Sequence, residues 1–189
     1  DQFHGNKDRI YQLANFVKQE SGSELWSDSP MALGPALVKD HPAVESVCRI
    51  EYGQANVRYG QNVFEESLVF VDPSLLKIFD FPFLYGNRDV LNIKSNVVIS
   101  RDMAIKYFSD SDPVGKELAF KFLNGDVKRF VVAAVLAKPP YGTMMTFDFM
   151  LPIDNFFDQN PDLANSWDYM TDGTLVLMAE GKNIADIQD

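Results

Sequence analysis

The chain has 189 residues, enough for one large domain or two small ones, and its 46% hydrophobic and 23% charged residues are ordinary for a globular protein. Its formal net charge of −10 argues against nucleic-acid and anionic-lipid partners, because both need a basic face. The single cysteine, Cys48, excludes an internal disulfide, and no run of 18 apolar residues is present, so we expect this segment to be soluble.

Strand patterns dominate the first 71 residues. The one helix expected here ends at His41, because the residue before Pro42 disfavours the helical conformation. The predicted elements, in chain order, are a strand at 10–17, a loop at 19–29, a helix at 31–40, a strand at 44–59 with a break at Gly53, and a strand at 62–71.

Two capped helices and a hairpin are predicted in the middle of the chain. Asp72 and Pro73 are typical of a helix start, with Asp72 capping the free N–H groups and Pro73 in the first turn. Ser100 is expected to cap the second helix, and Asn124-Gly125 between alternating apolar residues predicts a hairpin turn. The predicted elements are a helix at 74–79, a strand at 96–100, a helix at 101–108, and paired strands at 116–123 and 127–136.

The last part of the chain continues this alternation. Its predicted elements are a strand at 147–151, a helix at 153–157, a strand at 174–179 and a helix beginning at 183. Because that helix is unfinished at Asp189 and the first residue is not Met, we expect a segment of a longer protein. The irregular alternation predicts a mixed α+β fold in two lobes, with residues 65–138 as one lobe and a boundary turn at Pro139-Pro140.

No catalytic or metal-binding constellation is found in the sequence. His4 and His41 are the only histidines, and neither has a partner at zinc-ligand spacing. A run from Asp110 that resembles a calcium loop fails at Val114 and at Lys121, so a turn is expected there. Hydrolase, P-loop and dinucleotide signatures are absent. The residues alone therefore name no enzyme class, and they leave an enzyme open.

Several carboxylates and aromatic residues leave alternatives open. Asp148 with Asp154, or Asp158 with Asp162, could be imagined as a glycosidase pair, but we interpret them as caps and solvated side chains, because sequence spacing does not show the separation that the chemistry needs. The exposed aromatic candidates either fold back onto the domain or contact a partner, and they are Trp26, Tyr141, Trp167 and Tyr169.

The opening FHGNKDRIYQL resembles the segment that follows the first transmembrane helix of MacB/FtsX-type ABC transporter permeases, with Gln12 where that family usually has Arg. The most specific similarity is VVISRDMAIKYFSDSDPVGKEL, a strand, a helix and an Asp-Pro-x-Gly-Lys turn. The stretches PALVKDHPAVESVCRI, VDPSLLKIFDFPFLYGN and FVVAAVLAKPP are similar in order and spacing, with Ala134 where the family usually has Gly. The residues that carry the resemblance are Phe3, His4, Asp8, Arg9, Tyr11, Asp72, Pro73, Asp112, Pro113, Gly115 and Lys116.

This resemblance implies the periplasmic core domain of such a permease, built from a porter-like α/β lobe and an inserted small mixed α/β lobe. The porter-like lobe would comprise residues 1–64 and 139–189, incomplete at its C-terminal end, and the inserted lobe residues 65–138. The domain would lie at the periplasmic face of the bacterial inner membrane, in a parent that is an integral membrane protein.

The resemblance also implies that the domain is not an enzyme, carries out no catalysis in the periplasm and holds no cofactor in this segment. ATP would be hydrolysed at a separate or fused cytoplasmic ATPase, and the parent permease, a homodimer in this family, would couple hydrolysis to export or to a periplasmic protein or peptide partner. The excised domain is compatible with a monomer. The two lobes are expected to move as rigid bodies, with residues 3–9 near the membrane linking helix motion to them.

Two other functions stay open on the sequence alone. One is a free-standing extracytoplasmic module that binds a ligand or a protein. The other is a cell-envelope hydrolase, which would need a deep pocket holding convergent carboxylates or a histidine.

Overall fold

The computed structural model describes residues 4–19, 22–138 and 147–187, which form a mixed α+β fold. The strands are β1 (Ile10–Gln12), β2 (Asn15–Gln19), β3 (Gly22–Trp26), β4 (Ser29–Pro30), β5 (Val44–Tyr59), β6 (Asn62–Val71), β7 (Phe83–Tyr85), β8 (Asn96–Ser100), β9 (Glu117–Phe122), β10 (Val127–Leu136), β11 (Phe149–Pro152), β12 (Met170–Thr171) and β13 (Gly173–Met178). The helices are α1 (Leu33–Asp40), α2 (Leu75–Ile78), α3 (Arg101–Phe108) and α4 (Asp154–Gln159), with 3-10 turns at Val90–Asn92, Pro161–Leu163 and Ile184–Ile187.

Six strands of the large sheet pair in a closed ring. Their order is β5, β6, β11, β8, β10 and β9, and β9 pairs again with β5. The pairs β6–β11 and β8–β10 are parallel, and the other four are antiparallel. Beyond the ring, β13 and then β1 extend the sheet from β5, and β7 pairs with the end of β10. Closure satisfies strand edges that an open sheet would present to solvent.

Aromatic side chains fill the inside of this ring. The Phe120 ring on β9 lies 5.0 Å from that of Phe130 on β10 and 5.5 Å from that of Phe149 on β11, both in edge-to-face geometry. All three side chains are buried. Ala55 and Val57 of β5 face the same cluster, since alternate residues of a strand point to one side.

A second buried cluster covers the outer face of the sheet. Val98 of β8 and Met150 of β11 share it with Leu75 and Leu76 of α2, and all four are fully buried. Cys48 lies buried in this cluster. Burial raises the pKa of the Cys48 thiol well above its ordinary value, so the thiol stays protonated and unreactive.

The predicted Ser100 cap and the predicted Asn124-Gly125 turn are both present. The Ser100 hydroxyl oxygen accepts the Met103 N–H at 3.2 Å, as an N-cap of α3 should. Gly125 takes φ +91°, and the Asn124 side chain accepts the Asp126 N–H at 3.0 Å in the turn between β9 and β10. The Asn-Gly hairpin prediction is therefore confirmed.

The predicted loop at 19–29 is wrong, because residues 22–26 form β3. β3 pairs antiparallel with β2, and Phe16 stands opposite Leu25. The predicted strand over 10–17 divides at Leu13, whose N–H donates to the Thr174 carbonyl at 2.9 Å before the chain leaves the large sheet. The side chains of Glu24, Leu25 and Trp26 are exposed, so the composition that favoured a loop belongs to a strand at the surface.

Two further boundaries differ from the sequence-based expectation. β5 runs without a break through Gly53, where a Cβ atom would lie 2.9 Å from Cε2 of the Phe70 ring. Glycine at this position makes room for Phe70 inside the ring instead of ending a strand. α2 begins at Leu75 after Ser74, later than the predicted start at Asp72-Pro73.

The division into two lobes stays a prediction. β6 crosses the predicted boundary at residues 64 and 65 without interruption. β5 precedes that boundary in the sequence, and β8, β9 and β10 follow it. The ring nevertheless joins β5 to these three strands, by direct pairing of β5 with β9. The second boundary, at Pro139-Pro140, lies outside the described residues.

Candidate functional site

The family-signature residues at the start of the chain lie in a compact turn against the α2–β7 connection. His4 is buried, and its Nδ1 accepts the backbone N–H of Asp80 at 2.9 Å. Its ring meets Phe79 edge to face at 4.5 Å. Burial lowers the pKa of His4, and the Asp80 carboxylate opposes that effect. The imidazole is therefore held as a neutral acceptor in the interior.

Arg9 joins three parts of the fold through its guanidinium. Nη1 donates to Glu45 Oε2 at the start of β5 at 2.7 Å and to the Met178 carbonyl at the end of β13 at 2.5 Å. Nη2 donates to Asn6 Oδ1 at 2.8 Å, and Asn6 in turn donates to the Ile78 carbonyl at 3.2 Å. The Met178 N–H donates to the Arg9 carbonyl at 2.9 Å. One side chain therefore fixes the first turn to two strands of the large sheet.

The other signature residues of this segment have simpler roles. Tyr11 on β1 pairs with Val176 of β13 and packs on the buried cluster of Val44 and Met178. Asp8 is exposed in the turn before β1. Phe3 lies outside the described residues.

Asp72 binds Arg49 instead of capping a helix. The guanidinium donates from Nε to Asp72 Oδ2 at 2.8 Å and from Nη2 to Oδ1 at 2.9 Å, and the Arg49 N–H also donates to Oδ2 at 2.8 Å. The Arg49 guanidinium lies 5.2 Å from the Phe157 ring centroid. The predicted capping role of Asp72 is wrong, because a bidentate cation one strand away takes up its carboxylate. Pro73 lies in the turn that precedes α2.

The Asp-Pro-x-Gly-Lys signature is a structural turn between α3 and β9. Asp112 Oδ1 accepts the Val114 N–H at 3.0 Å, and Gly115 takes φ +81°. The Gly115 N–H donates to the Val132 carbonyl at 2.8 Å, and the Val132 N–H donates to the Lys116 carbonyl at 2.9 Å. Pro113 is buried beneath this turn. The signature residues thus form three separate groups, each of which fixes a connection.

Sequence reasoning missed a buried acid on β5. Glu51 is only 2% exposed and lies on the strand face that also carries Arg49 and Ala55. Its Oε2 accepts the Tyr169 hydroxyl at 3.0 Å. Burial, with the negative charge of Asp172, raises the pKa of Glu51 to about 7. The signal available was a carboxylate on the strand face that continues with the apolar residues Ala55 and Val57.

The other predicted candidates do not converge. His41 ends α1 and its N–H donates to the Leu37 carbonyl. Asp158 binds Lys94 and Lys128, which lowers its pKa, and Asp154 opens α4. The aromatic candidates Trp26 and Trp167 are exposed, Tyr169 is bound to Glu51, and Tyr141 lies outside the described residues.

The surface of the described residues carries shallow grooves. One groove of about 470 Å³ is lined by the end of β3 and by residues 170–172 and includes Trp26 and Asp28. Across residues 4–19, 22–138 and 147–187, no group of three His, Cys, Asp or Glu side chains is placed to hold a metal ion. Nor does any helix of this described part have the length and apolar character of a membrane span.

Solved structures share this fold at low sequence identity. A domain of a permease protein from Porphyromonas gingivalis aligns with a TM-score of 0.76 and 21% identity, covering 97% of this chain and 78% of that one. The periplasmic region of MacB from Actinobacillus actinomycetemcomitans gives 0.63 and 14%, covering 93% and 76%. The extracellular domain of the noncanonic ABC-type transporter YknZ from Gram-positive bacteria gives 0.59 and 15%, covering 91% and 84%.

Comparison with curated protein sequences gives no significant match. The family model of the MacB-like periplasmic core domain, in contrast, matches residues 1–189. That match covers every group of signature residues described above and agrees with the α+β fold shared with the permease domains. The chain therefore belongs to the MacB-like periplasmic core domain family, a family of ABC transporter permeases.

Proposed function

We propose that the chain is the periplasmic part of a permease that couples ATP hydrolysis at a separate cytoplasmic ATPase to export or to a periplasmic partner. In this proposal the chain performs no catalysis, ATP binds only at the ATPase, and the parent acts as a homodimer in the bacterial inner membrane. The observation that carries the proposal is the three-way attachment of Arg9 to β5, β13 and the first turn.

A displacement of the first turn would be transmitted to the ring through the hydrogen bonds of Arg9 and the pairing of β13 with β5. The Arg9 guanidinium donates to the Met178 carbonyl, and the Arg9 carbonyl accepts the Met178 N–H. β13 pairs along β5 from Gly173 to Met178, and β5 belongs to the ring. Residues 4–9 are therefore a suitable site for membrane helices of the parent to act on the domain.

The ring also bears on how the two predicted lobes move. In the ring, β5 pairs with β9, β9 with β10, and β10 with β8. The predicted boundary nevertheless separates β5 from these three strands in the sequence. Displacing residues 65–138 against the rest would break β5–β9 pairs such as Ala55 with Phe122. We therefore propose that the two lobes move together as one body within each permease chain.

The test uses the full permease reconstituted with its ATPase. A Leu123→Cys substitution at the exposed β9–β10 turn accepts a spin label, while the buried Cys48 is protected from labelling. We expect the distance between the two labels of a dimer to change on vanadate trapping. Arg9→Ala should abolish that change while the ATPase rate stays within about twofold, because the guanidinium attachment is lost.

A matched control removes an arginine that joins only neighbouring strands. Arg129 forms an exposed ion pair with Glu117 between β9 and β10, so Arg129→Ala should leave the distance change intact. A full distance change in Arg9→Ala would contradict the role of Arg9. No change in the unsubstituted permease would contradict coupling itself.

A second candidate function, contact with a periplasmic protein or peptide, is favoured by the β2–β3 hairpin. Phe16 and Leu25 are paired across it and are 75% and 63% exposed, and Trp26 follows at its end. Paired exposed apolar side chains of this kind are typical of contact surfaces. Crosslinking from a photoreactive residue at position 16 in cells would test this candidate, with position 63 on β6 as the control.

A further inference from the structure

Glu51 lies beneath residues 166–172, a segment that we name the strap. The strap passes from the 3-10 turn at Pro161–Leu163 into β12, and Tyr169 in its centre donates its hydroxyl to Glu51 Oε2 at 3.0 Å. Glu51 Oε1 is buried and makes no hydrogen bond with any residue that the structure describes. A buried acid with one neutral donor is poorly compensated if it carries a charge.

The strap is held to the rest of the fold by a few specific hydrogen bonds. The Met31 N–H donates to the Tyr169 carbonyl at 2.9 Å, and the Ala32 N–H donates to the Ser166 carbonyl at 3.0 Å. The Tyr52 N–H donates to Asp172 Oδ2 at 2.8 Å. These three amides therefore report whether the strap is closed.

The charges around Glu51 do not neutralise it. Asp172 faces it from the strap and adds a second negative charge. Arg49 stands two positions earlier on the same face of β5, but both its Nε and Nη2 are bound to Asp72. Across the strap, α4 contributes the apolar ring of Phe156, which lies 6.0 Å from the Tyr169 ring. Tyr169, the backbone N–H of Asp172 and the Arg49 guanidinium favour the carboxylate form, but burial outweighs them.

We propose that Glu51 makes closure of the strap depend on pH, so that the strap is closed over a protonated Glu51 and opens more readily when Glu51 is ionised. The neutral acid can remain buried with Tyr169 as its partner. Ionisation favours an open strap, because water then reaches the carboxylate. This property belongs to the fold and is independent of any coupling to a membrane.

The direction of the pH dependence follows from the two states of Glu51. Its pKa is about 7 when the strap is closed and returns toward the ordinary 4.5 when water reaches it. Opening therefore becomes more favourable as the pH rises from about 4.5 to about 7, and it is constant above that range because both states are then ionised. The ratio of the two acid constants sets the largest change, about 300-fold in the opening constant.

Hydrogen exchange of the 189-residue chain between pH 4.5 and 8 tests the proposal. After correction for intrinsic exchange rates, the amides of Met31, Ala32 and Tyr52 should show opening constants that rise on the order of 100-fold between pH 4.5 and pH 8. In Glu51→Gln, which keeps the shape and removes the charge, these amides should show no such rise. Glu65→Gln, an exposed carboxylate on β6, is the matched control and should behave as the unsubstituted chain.

A second readout does not depend on exchange. The carbon-13 shift of the Glu51 carboxyl group should titrate near pH 7, and Tyr169→Phe should raise its midpoint because a donor to the carboxylate is lost. A midpoint near 4.5 would overturn the proposal. So would equal exchange profiles of the unsubstituted chain and Glu51→Gln, or a rise shared equally by the amides of β8, which would indicate global unfolding.

Discussion

The closed ring and the β2–β3 hairpin use the same kind of strand pairing but place their phenylalanines in opposite environments. Phe120 in the ring is completely buried against the rings of Phe130 and Phe149, whereas Phe16 on the hairpin is 75% exposed. Pairing of backbone groups is satisfied in both. The comparison shows that hydrophobic burial stabilises the ring, while the hairpin keeps apolar side chains available at its surface.

The largest expected effect comes from emptying the ring. Phe120→Ala should lower the free energy of unfolding by about 4 kcal/mol, because it removes a fully buried ring and leaves a cavity between Phe130 and Phe149. Urea denaturation followed by circular dichroism measures this change. A loss below about 1 kcal/mol would mean that the ring can collapse around the cavity, and the contrast with the hairpin would weaken.

The next effect concerns the ion pair that fixes β5 to the end of β6. Asp72→Ala should destabilise the chain by about 3 kcal/mol, because Arg49 is left largely buried without its bidentate partner. Asp89→Ala removes one side of the exposed pair with Lys77 and should change stability by less than about 0.5 kcal/mol. Equal losses of unfolding free energy in the two variants would show that burial does not make the Arg49–Asp72 pair more stabilising than an exposed pair.

A smaller effect is expected where the loop after β7 meets β10. Gly86 has φ +86°, and a Cβ atom there would lie 2.5 Å from both the Ala133 carbonyl oxygen and Ala134 Cβ. Gly86→Ala should therefore cost about 2 kcal/mol in thermal or urea unfolding. Adding Ala134→Gly should recover only part of that loss, since the clash with the Ala133 carbonyl remains. Complete recovery would show that the side-chain contact alone matters.

The smallest effect is expected on the hairpin. Phe16→Ser should change the free energy of unfolding by less than about 0.5 kcal/mol, because the side chain it replaces is already in solvent. The same urea experiment as for Phe120→Ala gives the comparison directly. A loss of 1 kcal/mol or more would mean that Phe16 packs on the domain in solution, and the proposed contact surface would lose its support.

Local signals predicted most of the elements that surround the ring. The Asn124-Gly125 turn and the Ser100 cap are determined by neighbours in the sequence, and both are confirmed. The closure of the ring could not be predicted, because β5 meets β9 through pairs such as Ala55 with Phe122 that leave no local pattern. The same long-range contact explains Gly53, whose missing side chain accommodates Phe70 from the neighbouring strand.

The site residues were predicted unevenly for a related reason. A resemblance identified Arg9 and Asp72 as notable, but Asp72 looked like a helix cap because its partner Arg49 lies on another strand. Glu51 was missed, since its burial depends on the strap that covers it more than a hundred residues later in the chain. Local propensity predicts the strand on which an acid lies, but tertiary packing decides whether its carboxylate is solvated.

Closure of the ring also determines the order in which the chain can fold. The second half of β5 cannot complete its pairing before β9 has been synthesised, and β1 waits for β13 near the other end of the chain. Contacts so distant in sequence form slowly, because a large loop must close first. During that interval we expect the unpaired edge of β5 and the phenylalanines of the future core to be exposed and prone to aggregation.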